Sequence, residues 1–287
     1  MRTAAIAVAA VMRGGLRYGP MNARSALRFA AIALGAITTA TAPSIVALAE
    51  IPQIATRQRA EKKSFTDDEI LEGFFRTAFG AEYHLAGRID RIRKYEVPVR
   101  VFVDGARFGK RTGQLTKIIE DIGKRVQHLD IAHVEKREGA NVVVMLLRDG
   151  DLHKTIAKLY GADKAREIQN SLDPQCLSGF SKGENFQILR SEVLLTVDNG
   201  DFVFHDCAYE ELLQSLGPIN DTDKVPWTMF NDDVSMGFFS IYDQYLMNIL
   251  YDPRIKAGMT VQDVKAVLPA VLTDVRIFVA KTNNLVP

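Results

Sequence analysis

The sequence predicts an α+β domain with a mixed sheet and a helical C-terminal part. Three observations carry this. Two apolar runs, at 97–103 and 141–147, have strand character. Amphipathic helical periodicity lies between and after them. Three further helix-like stretches follow residue 200. The 287 residues are enough to bury a sizeable core. With 47% hydrophobic and 25% charged residues, the composition is ordinary for a globular protein.

The N-terminal segment is the most legible part. Residues 1–49 contain five arginines and no acidic residue. From Met21, Arg24 and Arg28 precede an apolar stretch from Phe29 to Leu48, which ends on Ala47-Leu48-Ala49. A basic start, an apolar middle and a small-x-small end predict a secretory signal over 1–49, with Met21 as the alternative start. An uncleaved anchor is the competing reading, weakened by Pro43 and the threonines at 38, 39 and 41. The expected location is therefore periplasmic or secreted, with no membrane span after cleavage. In an oxidising compartment the only two cysteines, Cys176 and Cys207, are expected to pair.

Beyond residue 49 the chain carries 31 basic and 35 acidic side chains, a net of −4. That balance excludes nucleic acid as a partner, because affinity there rests on neutralising phosphates. Residues 50–63 are polar and aperiodic and read as a linker, leaving 64–287 as a single domain. Thr66-Asp67-Asp68-Glu69 opens a helix with Ile70, Phe74, Phe75 and Ala78 on one face. Val97–Val103 alternates as a strand does, and Asp104-Gly105 turns the chain. Residues 112–128 form an amphipathic helix on Leu115, Ile118, Ile119, Ile122 and Val126. Asn141–Leu147 reads as a strand buried on both faces. A short helix at 153–160 follows, then a long strand at 186–197, then helices at 203–216, 240–251 and 260–272. Ser178–Gly183 reads as a loop. Gly105–Gly109 has two glycines after a strand but no phosphate-binding Lys-Ser, so it reads as a turn. Trp227, Phe230, Phe238 and Phe239 suit either a pocket or the core.

The stretch richest in chemistry is Glu210-Glu211-Leu212-Leu213-Gln214-Ser215-Leu216-Gly217-Pro218-Ile219-Asn220-Asp221. Glu210 and Gln214 share one helix face, with Glu211 about 100° round. Gly217-Pro218 ends the helix. The pattern resembles the metzincin motif HExxHxxGxxH, written here as EExxQxxGxxND. On that resemblance Glu210 and Gln214 stand for the first two zinc histidines and Glu211 for the general base. Gly217 stands for the turn glycine, and Asn220 or Asp221 for the third ligand. Thr228-Met229-Phe230 resembles the methionine turn, and Ser240-x-x-Asp243-x-x-Leu246 resembles the closing helix. The implied fold is zincin-like, with the strand at 186–197 as the substrate-binding edge. The segments AFG, PVRV, EELLQSLGPIND, FND and LYDPRIKAGM also resemble an uncharacterised bacterial family, domain of unknown function 2927, which brings no activity with it.

The departures from the motif set the functional expectation. Zinc in a hydrolase is held by three protein ligands, typically imidazoles, with an open position for water. A carboxylate and a carboxamide in their place predict no catalytic residue and no cofactor. Any metal held by Glu210, Gln214, Asn220 and Asp221, whether zinc or calcium, would meet an oxygen-rich set. The five histidines, at 84, 128, 133, 153 and 205, form no i, i+4 pair. The expected role is a catalytically inactive zincin-like domain that binds a peptide or an envelope protein. Two alternatives stay open: a metallohydrolase with Glu211 as base, and a purely structural envelope protein. Taken alone, the EExxQ face also matches a solvated helix surface.

Overall fold

The computed structural model describes residues 6–10, 51–79, 90–172 and 175–285, so the expected signal at 1–49 lies outside the described residues except for 6–10. Strand β1 (Ile6–Ala10) is followed by α1 (Pro52–Ala60), α2 (Asp67–Ala78), β2 (Val99–Asp104), α3 (Gly109–Arg125), β3 (Ile131–Val134) and β4 (Val142–Leu147). Next come α4 (Asp149–Tyr160), α5 (Ala162–Leu172), β5 (Cys176–Lys182), β6 (Ile188–Thr196), α6 (Asp201–Gln214), α7 (Ile241–Tyr251) and α8 (Val261–Thr282). One mixed sheet runs in the order β1-β5-β6-β4-β2-β3. Strands β3, β2, β4 and β6 are parallel, whereas β5 is antiparallel to both of its neighbours. The mixed α+β architecture read from the sequence is present.

The continuous apolar run of β4 follows from cover on both faces. Val142, Val144 and Leu146 join the main core with α3 and α6, while Met145 and Leu147 pack with α4 and α5 against Leu177 and Leu194. Helix α2 starts on a full capping box: the Thr66 hydroxyl accepts from the Glu69 N–H at 3.2 Å, and Glu69 accepts from the Thr66 N–H at 2.9 Å. Every residue of α7 is buried, so its polar side chains must find partners inside. Asn248 donates to the Arg125 and Gln244 carbonyls and accepts from the Gln127 N–H. Lys94 donates to the Leu250 and Ile255 carbonyls at 2.7 and 2.9 Å, closing the C-terminal end of α7.

Several segments depart from the sequence reading. Residues 52–60, expected in a linker, form α1. Its Ala55 is buried, and Arg57 donates to the Ser235 carbonyl at 2.6 Å and lies over the Phe202 ring. The segment read as a loop at 178–183 supplies most of β5. Its Ser178 and Gly179 carry no apolar alternation, yet both sit in the β5–β6 ladder. The strand at 188–196 is not the edge strand the resemblance implies, because it lies between β4 and β5. Helix α8 continues to Thr282, past Pro269. No helix among the described residues is long and apolar enough to cross a membrane.

Candidate functional site

Helix α6 lies on the sheet beside β5 and β6, and the bond between Cys176 on β5 and Cys207 on α6 fixes it there, with Cα atoms 5.9 Å apart. The expected disulfide is present. Phe204, Cys207 and Ala208 face inward, as an anchored helix requires. Glu210, Glu211 and Gln214 are buried too, at 3%, 0% and 0% exposure. The EExxQ face is therefore not a solvated surface.

Past Gln214 the chain turns through Gly217, whose φ is +145°. A side chain there would fall on the Arg93 carbonyl and within 2.8 Å of Leu250 Cδ2, so only glycine fits. The turn returns the chain across the end of α2. Asn220 donates to the Arg76 carbonyl at 2.8 Å, and its N–H donates to the Thr77 carbonyl. That side chain closes α2 and takes no part in the acidic cluster; of Asn220 and Asp221, it is Asp221 that lies beside Glu210. Gln214 Nε2 donates to Asp221 Oδ1 at 2.6 Å.

A third carboxylate enters from a separate loop. One oxygen each of Glu210, Asp221 and Asp232 lie within 4.8 Å of one another. Asp232 follows Met229, whose N–H donates to Asp243 at 3.2 Å. Asp243 also accepts from the hydroxyls of Thr228 and Ser240, both at 2.6 Å. The methionine-turn and closing-helix positions of the resemblance are thus joined by one buried carboxylate. Burial pushes Asp243 up to about 7, against the opposing effect of its three donors.

Electrostatically the cluster is costly. Burial raises the Glu210 carboxyl well above the usual range, with Asp221, Asp206, Glu211 and Asp232 adding to the effect. Asp232 is raised by burial and by Asp233. Among the described residues, Glu210 Oε1, Gln214 Oε1 and Asp232 Oδ1 are buried atoms without a hydrogen-bond partner. Glu211 is buried, but its carboxylate is not among the three that converge; its charge adds to the burial and Glu192 effects that raise Tyr160.

The donors that converge are all oxygen. The zinc implied by the metzincin resemblance does not fit them, because no imidazole or thiolate belongs to the set. His205, the nearest histidine in sequence, instead makes a 2.8 Å bond through Nδ1 to the Asp201 carbonyl one turn back. Asp232 is the site residue that the sequence pattern missed. Its signals are the Asn231-Asp232-Asp233 run after the methionine turn and its place in the family-like FND segment.

Of these residues, Asp221 also lines a cleft of about 610 Å³, together with Phe75, Arg76, Phe79, Asn220 and Lys265, among others. The family described as protein of unknown function (DUF2927) matches residues 67–270, which include α6, its glycine turn and all three converging carboxylates. The chain belongs to that family. No curated protein and no solved structure shows a significant match. In this DUF2927 chain the matched region begins at the first residue of α2 and ends within α8. Helix α1 and strand β1 lie outside it.

Proposed function

We propose that this chain is an exported, disulfide-bridged domain of zincin-like build that has no zinc-hydrolase chemistry and holds an extended peptide or protein partner at the cell envelope. The observation that carries the reading is the chemistry at the two positions matched to zinc imidazoles. Glu210 is a buried carboxyl surrounded by other acids, and the Gln214 carboxamide is tied to Asp221. Neither offers the neutral nitrogen that a hydrolytic zinc site uses. Zincin-like build is supported by the succession of buried helix, Gly217 turn, returning acid, Met229 and Asp243. Export is supported by the Cys176–Cys207 bond, since disulfides persist in oxidising compartments.

Support for a strand-adding partner comes from β5. Residues Ile6–Ala10 pair antiparallel with Leu177–Ser181 along its outer edge. They lie upstream of the expected processing point after Ala49, so processing removes that strand and leaves the backbone groups of β5 open to another extended chain. The test uses the chain beginning at Glu50, with a peptide library and unfolded protein substrates. The expected result is saturable peptide binding, slower amide exchange along residues 176–182, and no cleavage. Cleavage lost in a folded Glu211→Gln variant would establish the hydrolase reading instead. Failure of every peptide to bind would leave only a structural role.

A further inference from the structure

The acidic cluster has a further meaning that does not depend on a peptide partner. We propose that Glu210, Gln214, Asp221 and Asp232 form a binding site for one hard divalent cation of the calcium class. Hard cations take oxygen ligands at about 2.3–2.6 Å, so two oxygens on the same ion stand at most about 5 Å apart. The three carboxylate oxygens, all within 4.8 Å of one another, already satisfy that limit. Small side-chain adjustments then suffice to bring all three onto one ion.

A second observation, independent of the acids, is the Gln214 carboxamide. It is fully buried, its Nε2 is bonded to a member of the cluster, and its Oε1 has no hydrogen-bond partner among the described residues. Turned over, the same amide presents that unpaired oxygen to Asp221 and the cluster, where a buried carbonyl is a ligand in want of a cation. Gln214 stands one helical turn after Glu210 on the same face, so α6 presents a carboxylate and an amide oxygen together. Asp221 and Asp232 are half-buried, and Asp221 borders the cleft, so the cluster has a solvent-facing side. Several carboxylates with an amide oxygen suit calcium better than magnesium, which keeps more of its own water. Bound there, the ion ties the end of α6 to the loop after the Gly217 turn and to the loop after the methionine turn.

The test is thermal unfolding of the full chain, stripped with chelator and then titrated with calcium or magnesium. Calcium is expected to raise the midpoint by about 5–10 °C at a hundredfold excess over its dissociation constant, and further with the logarithm of its concentration. The rise should set in at about 10⁻⁴–10⁻³ M, the dissociation range of extracellular calcium modules. Glu210→Gln removes one of the converging carboxylates and should lose the calcium response while still unfolding cooperatively. Asp232→Asn, at a half-exposed position, should fold like the parent and lose at least tenfold in calcium affinity. A parent that ignores both cations would overturn the site, as would a response that survives in both variants. Neither result bears on whether peptides bind at β5.

Discussion

Asp243 illustrates how one buried side chain organises the neighbourhood of the candidate site. Its carboxylate collects the Thr228 and Ser240 hydroxyls and the Met229 N–H, so it fixes the turn that delivers Asp232. Because burial raises its folded value to about 7 from an ordinary 3.8, the folded state holds this proton more tightly than the unfolded chain does. The stability it contributes is therefore full below about pH 4, declines as pH rises toward 7, and is absent above that. Unfolding midpoints measured between pH 5 and 8 should fall with pH, and Asp243→Asn should flatten the slope. An unchanged slope in that variant would remove Asp243 from the account. At this scale the sequence was legible where spacing carries chemistry: Glu210, Gln214, Gly217 and Asp221 meet as the helical repeat and the glycine turn require. Asp232 was not legible, because it reaches the cluster through a loop whose path depends on the Asp243 contacts, and no periodicity records such a path. Asn220 shows the converse. Its position fits the motif, but the nearby carbonyls at the end of α2 hold its amide.

Between elements, close approach is what the residues encode. Gly73 on α2 faces Tyr242 on α7; an added methyl would fall on the Tyr242 hydroxyl and within 2.9 Å of its ring. That hydroxyl donates to the Glu69 carbonyl, which locks the two helices together. Gly73→Ala gains helix propensity of about 0.5–1 kcal/mol but overpacks the contact by about 1–3 kcal/mol. The expected net is a loss of about 1–2 kcal/mol in urea unfolding, and a stabilised variant would show that the helices can separate freely. Elements with strong apolar patterns, such as α3 and β4, were readable from their periodicity alone. Strand β5 was not, because Ser178 and Gly179 give it no alternation and its place is set by pairing with β6. Strand β3 is only four residues long and half-buried, too short for a period to emerge. Helix α1 is polar, and its docking comes from Ala55 and Arg57 rather than from an apolar stripe.

Across the whole molecule, the site depends on holding α6 against the sheet while its polar face is buried in acids. The disulfide does this covalently, joining residues 31 apart in sequence. Reduction, or a Cys176→Ser/Cys207→Ser pair, should cost about 3–4 kcal/mol on the chain-entropy model. Denaturant curves with and without reductant check it, and coincident curves would show that packing alone holds the helix. The Cys176–Cys207 bridge suits an oxidising compartment, and the acidic site holds oxygen donors where a zinc protease has nitrogen. Metal content tests this most directly, measured on the chain isolated from its own cells without chelators. The account predicts zinc far below one atom per chain. One zinc per chain, lost on replacing Glu210 or Asp221, would contradict it.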